Sequence, residues 1–409
     1  MKIGFFTENH YKGGLDTFIV NLVNSWPDYD DELILLVNDS HPGISAIKNR
    51  VTRPLEVLTY HRFYSTFFSV NDKFRVSGWL TIYQLFMTLI FRFFQNILIF
   101  PWYVTTLAIY FKKSNFDRLM VINGGYPASI LCRSAIISWG LAGKEKPGVM
   151  NFHSLVSKPA GRFSFTANLI DNLVIKYSTC IVGVSKACIM SLSVRHAFLS
   201  NTKLNFIYNG IKDPVRSSVA KRFLGQSFCS NEDPYCLMLS TYHSYKGHDY
   251  LLDAFSEVIK FYPKVSLRIF GHGSFEEKKR VIEAVRIRQL ETKVYVGDFM
   301  GEISALLSKA AILVVPSQGY ESFGLTIIEA MAYGVPVVAT NVGGIPEVMD
   351  SNNAGYVCSK DSHYEFAEAI VRILGNPCLA KELGGNGRLA FEERFTAERM
   401  AIEYKKILS

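Results

Sequence analysis

The sequence predicts an α/β protein built from two doubly wound parallel sheets, one following the other along the chain. Three observations predict this. Short β-rich runs alternate with helical stretches throughout, as in βαβ units. The alternation restarts after a break at Asp213–Pro234, which is Ser-rich, bracketed by prolines and without a strong period. The chain has 409 residues, 49% hydrophobic and 20% charged, which suffices for two cores and argues against disorder.

In the first half, Lys2–Thr7, Leu33–Val37, Leu55–Thr59, Arg118–Ile122, Gly148–Phe152 and Cys180–Val184 read as strands. The second half repeats the scheme with Tyr235–Thr241, Val265–Gly271, Lys293–Val296, Ile312–Pro316 and Val335–Thr340. Helical patterns fill the gaps, among them His248–Lys260, Phe275–Gln289 and Tyr364–Leu374. The expected domains are therefore 1–212 and 235–395, joined by a linker at 213–234, with a last helix (396–409) packing back on the first domain. Such folds bind ligands in the crevice at the carboxyl ends of their strands.

Charge divides unevenly between the halves. Residues 1–200 hold 20 Lys+Arg against 12 Asp+Glu, and residues 40–200 hold 18 against 5, whereas the remainder of the chain is neutral. A basic first half fits an anionic surface, phospholipid carrier or acidic glycan; ordinary solvation is the alternative. The segment Val76–Phe111 carries Arg92 as its only charge and is flanked by Lys73, Arg75, Lys112 and Lys113. Its Gln, Asn and Thr content and Pro101 favour a surface-lying helix pair over a membrane span, with buried core helices as the third reading. Residues 73–113 are thus expected to make peripheral membrane contact. The seven cysteines are scattered without a CxxC pair, as in a reducing compartment. The apolar start of the chain is too short for a signal peptide, so the expected location is cytoplasmic, at the inner face of the cytoplasmic membrane. No nucleic-acid partner is expected. Asp28-Tyr-Asp30 precedes a strand inside a run of acids and reads as a solvated turn. No other metal-ligand spacing occurs, so neither a metal nor a cofactor is expected.

The strongest chemical signal follows the strand Ile312–Pro316. A loop with Gly319, Glu321, Ser322, Phe323 and Gly324 leads into a helix beginning near Leu325, with Glu329 about one turn inside it. Unpaired N–H groups and the positive dipole end of a helix start suit a diphosphate or sugar hydroxyls. Carboxylates are acceptor-only groups, matched to paired hydroxyls. Thr326-x-x-Glu329 also fits a capping box, in which Glu329 would serve only its own helix. That reading leaves Glu321 and the flanking glycines unexplained.

The run Glu321-SFGLTII-Glu329, followed by AMAYGVPVVAT and GGIPE, resembles the E-x7-E element of retaining glycosyltransferases of the GT-B fold, family 4. The resemblance implies two Rossmann-like domains facing across a cleft. It implies that Glu329 binds the ribose of a nucleotide-sugar donor and Glu321 lies beside the donor sugar. Loop amides at Phe323–Leu325 would meet sugar hydroxyls and phosphate. Lys246-Gly247 resembles the family's K-G turn, whose lysine contacts the diphosphate. Where the family often carries an arginine, this chain has Ser240 and Thr241, which offer only neutral hydrogen bonds; Lys212, His243 and Arg268 are candidate substitutes. Gly271-His-Gly273 resembles a turn near the nucleotide, Gly13-Gly14 the glycine loop near the donor phosphate, and Asn151-Phe-His153 a strand-end histidine near the reacting sugar. His153 is otherwise a satisfied core histidine.

The expected activity is transfer, with retention, from a UDP- or GDP-sugar to a glycan or polyprenyl-linked oligosaccharide in bacterial surface-polysaccharide assembly. Glu321, Lys246 and His153 would act at the reaction centre. Gly13, Gly14, Thr241, Gly271, Ser322, Phe323, Gly324, Leu325 and Glu329 would join Lys246 on the donor. The alternatives are a nucleotide-sugar epimerase, a phosphorylase of similar build, or a non-catalytic donor-binding partner.

Overall fold

The computed structural model describes residues 1–60, 98–158, 164–215, 233–300, 303–349 and 353–409. Most of the Val76–Phe111 segment, to residue 97, and most of the linker, 216–232, lie outside the described residues. The chain forms two compact units. Unit 1 comprises Met1–Val184, Ile189–Ile207 and Ala401–Ser409; unit 2 comprises Ser185–Cys188 and Tyr208–Met400.

Along the first part of the chain run β1 (Lys2–Thr7), α1 (Gly14–Asn24), β2 (Glu32–Asn38), α2 (Ile44–Arg50), β3 (Glu56–Tyr60) and α3 (Phe100–Lys113). They are followed by β4 (Arg118–Asn123), α4 (Ile130–Leu141), β5 (Gly148–Phe152), α5 (Ser164–Tyr177), β6 (Ser178–Gly183), α6 (Lys186–Met190) and β7 (Leu204–Phe206). The seven strands form one sheet in the order β3-β2-β1-β4-β5-β6-β7, every pair parallel. A parallel sheet covered on both faces needs strands that are apolar at consecutive positions, not alternating ones. In β2 every residue after Glu32 is accordingly buried.

The chain continues with β8 (Tyr235–Leu239), α7 (His248–Phe261), β9 (Ser266–Gly271), α8 (Phe275–Ile287), β10 (Val294–Asp298), α9 (Ser304–Leu307) and β11 (Ile312–Val315). Next come α10 (Leu325–Ala332), β12 (Val337–Thr340), α11 (Ile345–Met349), β13 (Gly355–Cys358), α12 (His363–Leu374), α13 (Pro377–Arg394) and α14 (Ala397–Leu408). This sheet runs β10-β9-β8-β11-β12-β13 and is also parallel. Leu251, Leu252, Phe255 and Val258 line one side of α7 at helical spacing and enter its core. Burying a side chain such as Phe255 contributes about 2–3 kcal/mol. At the start of α8, Ser274 and Glu277 form a reciprocal capping box, which contributes about 1 kcal/mol.

β7 and β13 were not expected from sequence. With three and four residues they are too short to show a period, and each lies at a sheet edge. The acidic turn also differs from expectation at its end. Asp31 is buried, accepts from Trp26 Nε1 at 2.8 Å and pairs with Lys405 of α14. Burial opposes its charge, but hydrogen bonds from Lys405, the Met1 amine and Trp26 hold its carboxyl below the usual range. The same end of α14 receives Asn151 Nδ2 on the Tyr404 hydroxyl at 2.6 Å and Arg118 Nε on the Leu408 carbonyl at 2.7 Å.

Within 73–113, the described part is α3. It buries Phe100, Tyr103 and Phe111 against α4, where Phe111 meets Trp139 edge-on at 5.5 Å. Trp102, Ile109 and Tyr110 stay exposed, as does Leu98 just before the helix. Among the described residues, no helix is long and apolar enough to cross a membrane.

Candidate functional site

In unit 2 the strand order reverses between β8 and β11, so the crevice lies over the carboxyl ends of those two strands. The loops leaving them carry Lys246 and Glu321. Backbone sterics bring the loops together. Lys246 ends a 3₁₀ turn, Ser244–Lys246, and Gly247 follows with φ 80°. A Cβ on Gly247 would stand 1.9 Å from the Pro316 carbonyl oxygen, an approach that only glycine permits. Gln318 N–H also donates to the Tyr245 carbonyl at 2.8 Å.

The two side chains meet: Lys246 Nζ lies 2.7 Å from Glu321 Oε2, and the side chains are only 18% and 15% exposed. A charge-assisted contact with so little solvent is stronger than a surface ion pair. Glu321 is also fixed through its backbone, whose carbonyl accepts from Gly344 N–H at 2.9 Å. A Cβ on Gly344 would press on the Ser322 carbonyl at 2.4 Å, so the GGIPE segment packs directly beneath the loop.

Gly324 caps α10 in the left-handed region, φ 95°. Leu325 and Thr326 are then the first and second helical residues, so Thr326 lies inside the helix and cannot act as its cap. Glu329 is the fifth helical residue and half-buried. The capping-box reading of Thr326 and Glu329 is thus excluded by where the helix begins. Phe323 is buried against Tyr208 and Phe395, which anchors the loop from below. Ser322 and Leu325 are half-buried beside it.

Gly271 ends β9, and a Cβ there would come within 1.6 Å of the Ser240 carbonyl oxygen. Thr241, just past β8, has its hydroxyl oxygen buried with no hydrogen-bond partner among the described residues. Of the candidate substitutes for the arginine, Arg268 stacks over Tyr235, the first residue of β8, at 3.8 Å and so points away from the crevice. Lys212 is exposed just before the linker. His243 remains in the β8 loop, with Nδ1 2.6 Å from Glu277 Oε1 and its ring stacked on Tyr245.

In unit 1, Gly13 caps α1 and Gly14 is its first residue. Gly13 N–H donates to Asp16 Oδ2 at 3.2 Å, and Asp16 is itself held by His41 Nε2 at 2.9 Å. A Cβ on Gly13 would meet nothing within 4 Å, so no packing constraint explains that glycine. His153 follows β5 and meets Phe18 edge-on at 4.3 Å. Burial pushes its imidazole down to about 3, which keeps it neutral at physiological pH. Sequence reading did not single out the Asp16–His41 pair or the polar groups ending β1 and β4, because pattern matching does not show which loop residues converge. Among the described residues, no three His, Cys, Asp or Glu side chains gather as a metal site.

This architecture is that of the GT-B glycosyltransferases. The structure of Anabaena HepE in complex with UDP and glucose superimposes with a TM-score of 0.72 at 18% identity, covering 100% of this chain and 99% of that one. A likeness to a particular family comes from sequence: residues 222–390 match the model of glycosyl transferases group 1. An uncharacterized glycosyltransferase of Haemophilus influenzae is 31% identical over 166 residues, 40% of this chain and 46% of the relative. The O-antigen biosynthesis glycosyltransferase WclY of Escherichia coli is 28% identical over 214 residues, 51% of this chain and 56% of the relative. The matches thus span about half the length of these curated relatives.

Proposed function

We propose that the protein transfers a sugar, with retention of configuration, from a UDP- or GDP-sugar to a glycan or lipid-linked oligosaccharide in bacterial surface-polysaccharide synthesis. The observation that carries this is the Lys246–Glu321 pair beside the start of α10, in the switch-point crevice of a group 1 domain. A cation and oriented helix amides stabilise a departing diphosphate as negative charge develops on it. Glu329 accepts from the ribose hydroxyls and Glu321 from the donor sugar. As the bond from the sugar's anomeric carbon to the diphosphate oxygen breaks, the acceptor hydroxyl oxygen bonds that carbon and its proton passes to the leaving phosphate. Neutral His153 can hydrogen-bond a sugar hydroxyl but supplies no charge. The donor preference draws on HepE, whose structure contains UDP and glucose, and the pathway on WclY, named for O-antigen biosynthesis.

Thermal melting with UDP, GDP, ADP and their sugars tests the donor site, because a bound ligand raises the melting temperature by mass action. One of the first two nucleotides is expected to stabilise the parent. Glu329→Ala should weaken that ligand about tenfold or more, the effect of losing a hydrogen bond to a charged group. No stabilisation by any nucleotide, or an unchanged response in the variant, removes the proposal.

The exposed side of α3, with Trp102, Ile109 and Tyr110 ahead of Lys112 and Lys113, supports contact with an anionic membrane surface. Sedimentation with anionic vesicles should fall in Trp102→Glu and at high salt. Equal pelleting of parent and variant would remove this contact.

A further inference from the structure

The loop that carries Glu321 is held by a segment far from it in sequence. Ser185–Cys188 follow β6, yet they belong to unit 2. Ser185 is wholly buried, and its hydroxyl donates to the Ser322 carbonyl at 2.6 Å. The same hydroxyl oxygen accepts from Cys188 N–H at 3.0 Å, so both its donor and its acceptor side are engaged. One residue earlier, the Glu321 carbonyl accepts from Gly344 N–H at 2.9 Å. Two consecutive peptide planes are therefore fixed. In a planar trans peptide the N–H points opposite to the C=O, so holding the Ser322 carbonyl aims the Phe323 N–H away from Ser185.

The segment is braced in turn. Glu347 of α11 accepts through both carboxylate oxygens, from Lys186 N–H at 2.7 Å and from Ala187 N–H. Its backbone carbonyl accepts from Arg394 at 3.2 Å. The Arg394 guanidinium lies 5.3 Å from the centre of the Tyr208 ring, on which Phe323 packs. These contacts close a circuit that begins and ends at the donor loop. Phe323, almost fully buried, already anchors that loop by apolar contact. Apolar contact is non-directional, however, and fixes a side chain without fixing the plane of the peptide before it. What the Ser185 hydroxyl adds is direction. An amide held in its working orientation costs no reorganisation when charge develops beside it.

We infer that Ser185 is a positioning residue for transfer: it orients the Ser322–Phe323 peptide so that the Phe323 amide faces the diphosphate-linked sugar of the donor. That role rests on the transferase reading, but Ser185's hold on the loop is testable without turnover. Hydrogen exchange of the full chain, read on peptides spanning 317–330, should quicken about tenfold in Ser185→Ala. Glu347→Gln, which keeps the shape of the side chain but replaces one acceptor oxygen by a donor, should act in the same direction. Parent-like exchange in Ser185→Ala overturns the inference, whether or not a donor is found. With the sugar nucleotide selected by the melting screen, kcat should fall about tenfold in Ser185→Ala. KM and the affinity for the free nucleotide should stay within about twofold, because an amide aimed at the breaking bond stabilises the departing charge more than the bound nucleotide. A parent-like kcat, or an equal loss in free-nucleotide binding, overturns the positioning role. If the parent transfers no sugar while exchange still quickens in Ser185→Ala, it is the transferase reading that falls, and Ser185's hold on the loop stands.

Discussion

Replacing Glu321 by Gln should make the protein hold free UDP more tightly while it transfers less sugar. In the structure Lys246 is already occupied by a carboxylate at 2.7 Å, so a diphosphate can claim the lysine only by displacing it. At an effective dielectric constant of about 20, the Coulomb attraction at that distance is about 6 kcal/mol. Desolvation and the ordering of two long side chains cancel most of this. With both side chains less than one-fifth exposed, a net pairing of about 1–2 kcal/mol remains. Glu321→Gln removes that competition, so UDP should bind about five- to thirtyfold more tightly. UDP carries no sugar and gains nothing from Glu321 itself, whereas UDP-sugars lose an acceptor and should gain less. Titration calorimetry of parent, Glu321→Gln, Lys246→Met and the double variant isolates the coupling. The gain should vanish in the Lys246→Met background. UDP affinity that stays level or falls in Glu321→Gln would refute the competition.

Two glycine substitutions should separate packing from ligand proximity. Gly247→Ala meets the Pro316 carbonyl in a left-handed backbone and should cost about 2–3 kcal/mol in chemical denaturation. Gly13→Ala has extended backbone and open space, so its melting should match the parent while donor-dependent transfer falls; full activity would show that nothing approaches that glycine. His248, almost fully buried with neither ring nitrogen hydrogen-bonded among the described residues, is pushed down to about 4, chiefly by burial and further by Arg280 and Lys246. Its folded value lies below the unfolded one of about 6.5, so the unfolded chain takes up a proton that the fold excludes. Stability should therefore be full above about pH 6.5 and fall as pH drops toward 4, by about 2 kcal/mol at pH 5 from this residue. His153 should act in the same direction. Urea midpoints of the parent and His248→Phe should diverge between neutral pH and pH 5, and identical slopes would exclude His248 as the cause.

The fold class was legible in the sequence because a parallel sheet buries both faces. Runs such as Leu33–Val37 must be apolar at every position, and helices must separate them. The edge strands β7 and β13 were not legible, since so few residues carry no period. The E-x7-E run and the Lys246-Gly247 turn were visible as local patterns. Their 75-residue separation, however, gave no physical reason from sequence alone to place Nζ 2.7 Å from Oε2.

The sequence by itself determined which residues could form strands, where the alternation restarts and which loop holds the paired acids. All of these follow from local composition and period. Only the tertiary structure decided that Gly324 is the cap of α10, with Thr326 inside the helix, which frees Glu329 from a capping-box role. It likewise decided that Gly247 must be a glycine against Pro316. The physical reason is the same in each case. Strand order and loop convergence are set by long-range packing, which brings together groups that no sequence window contains.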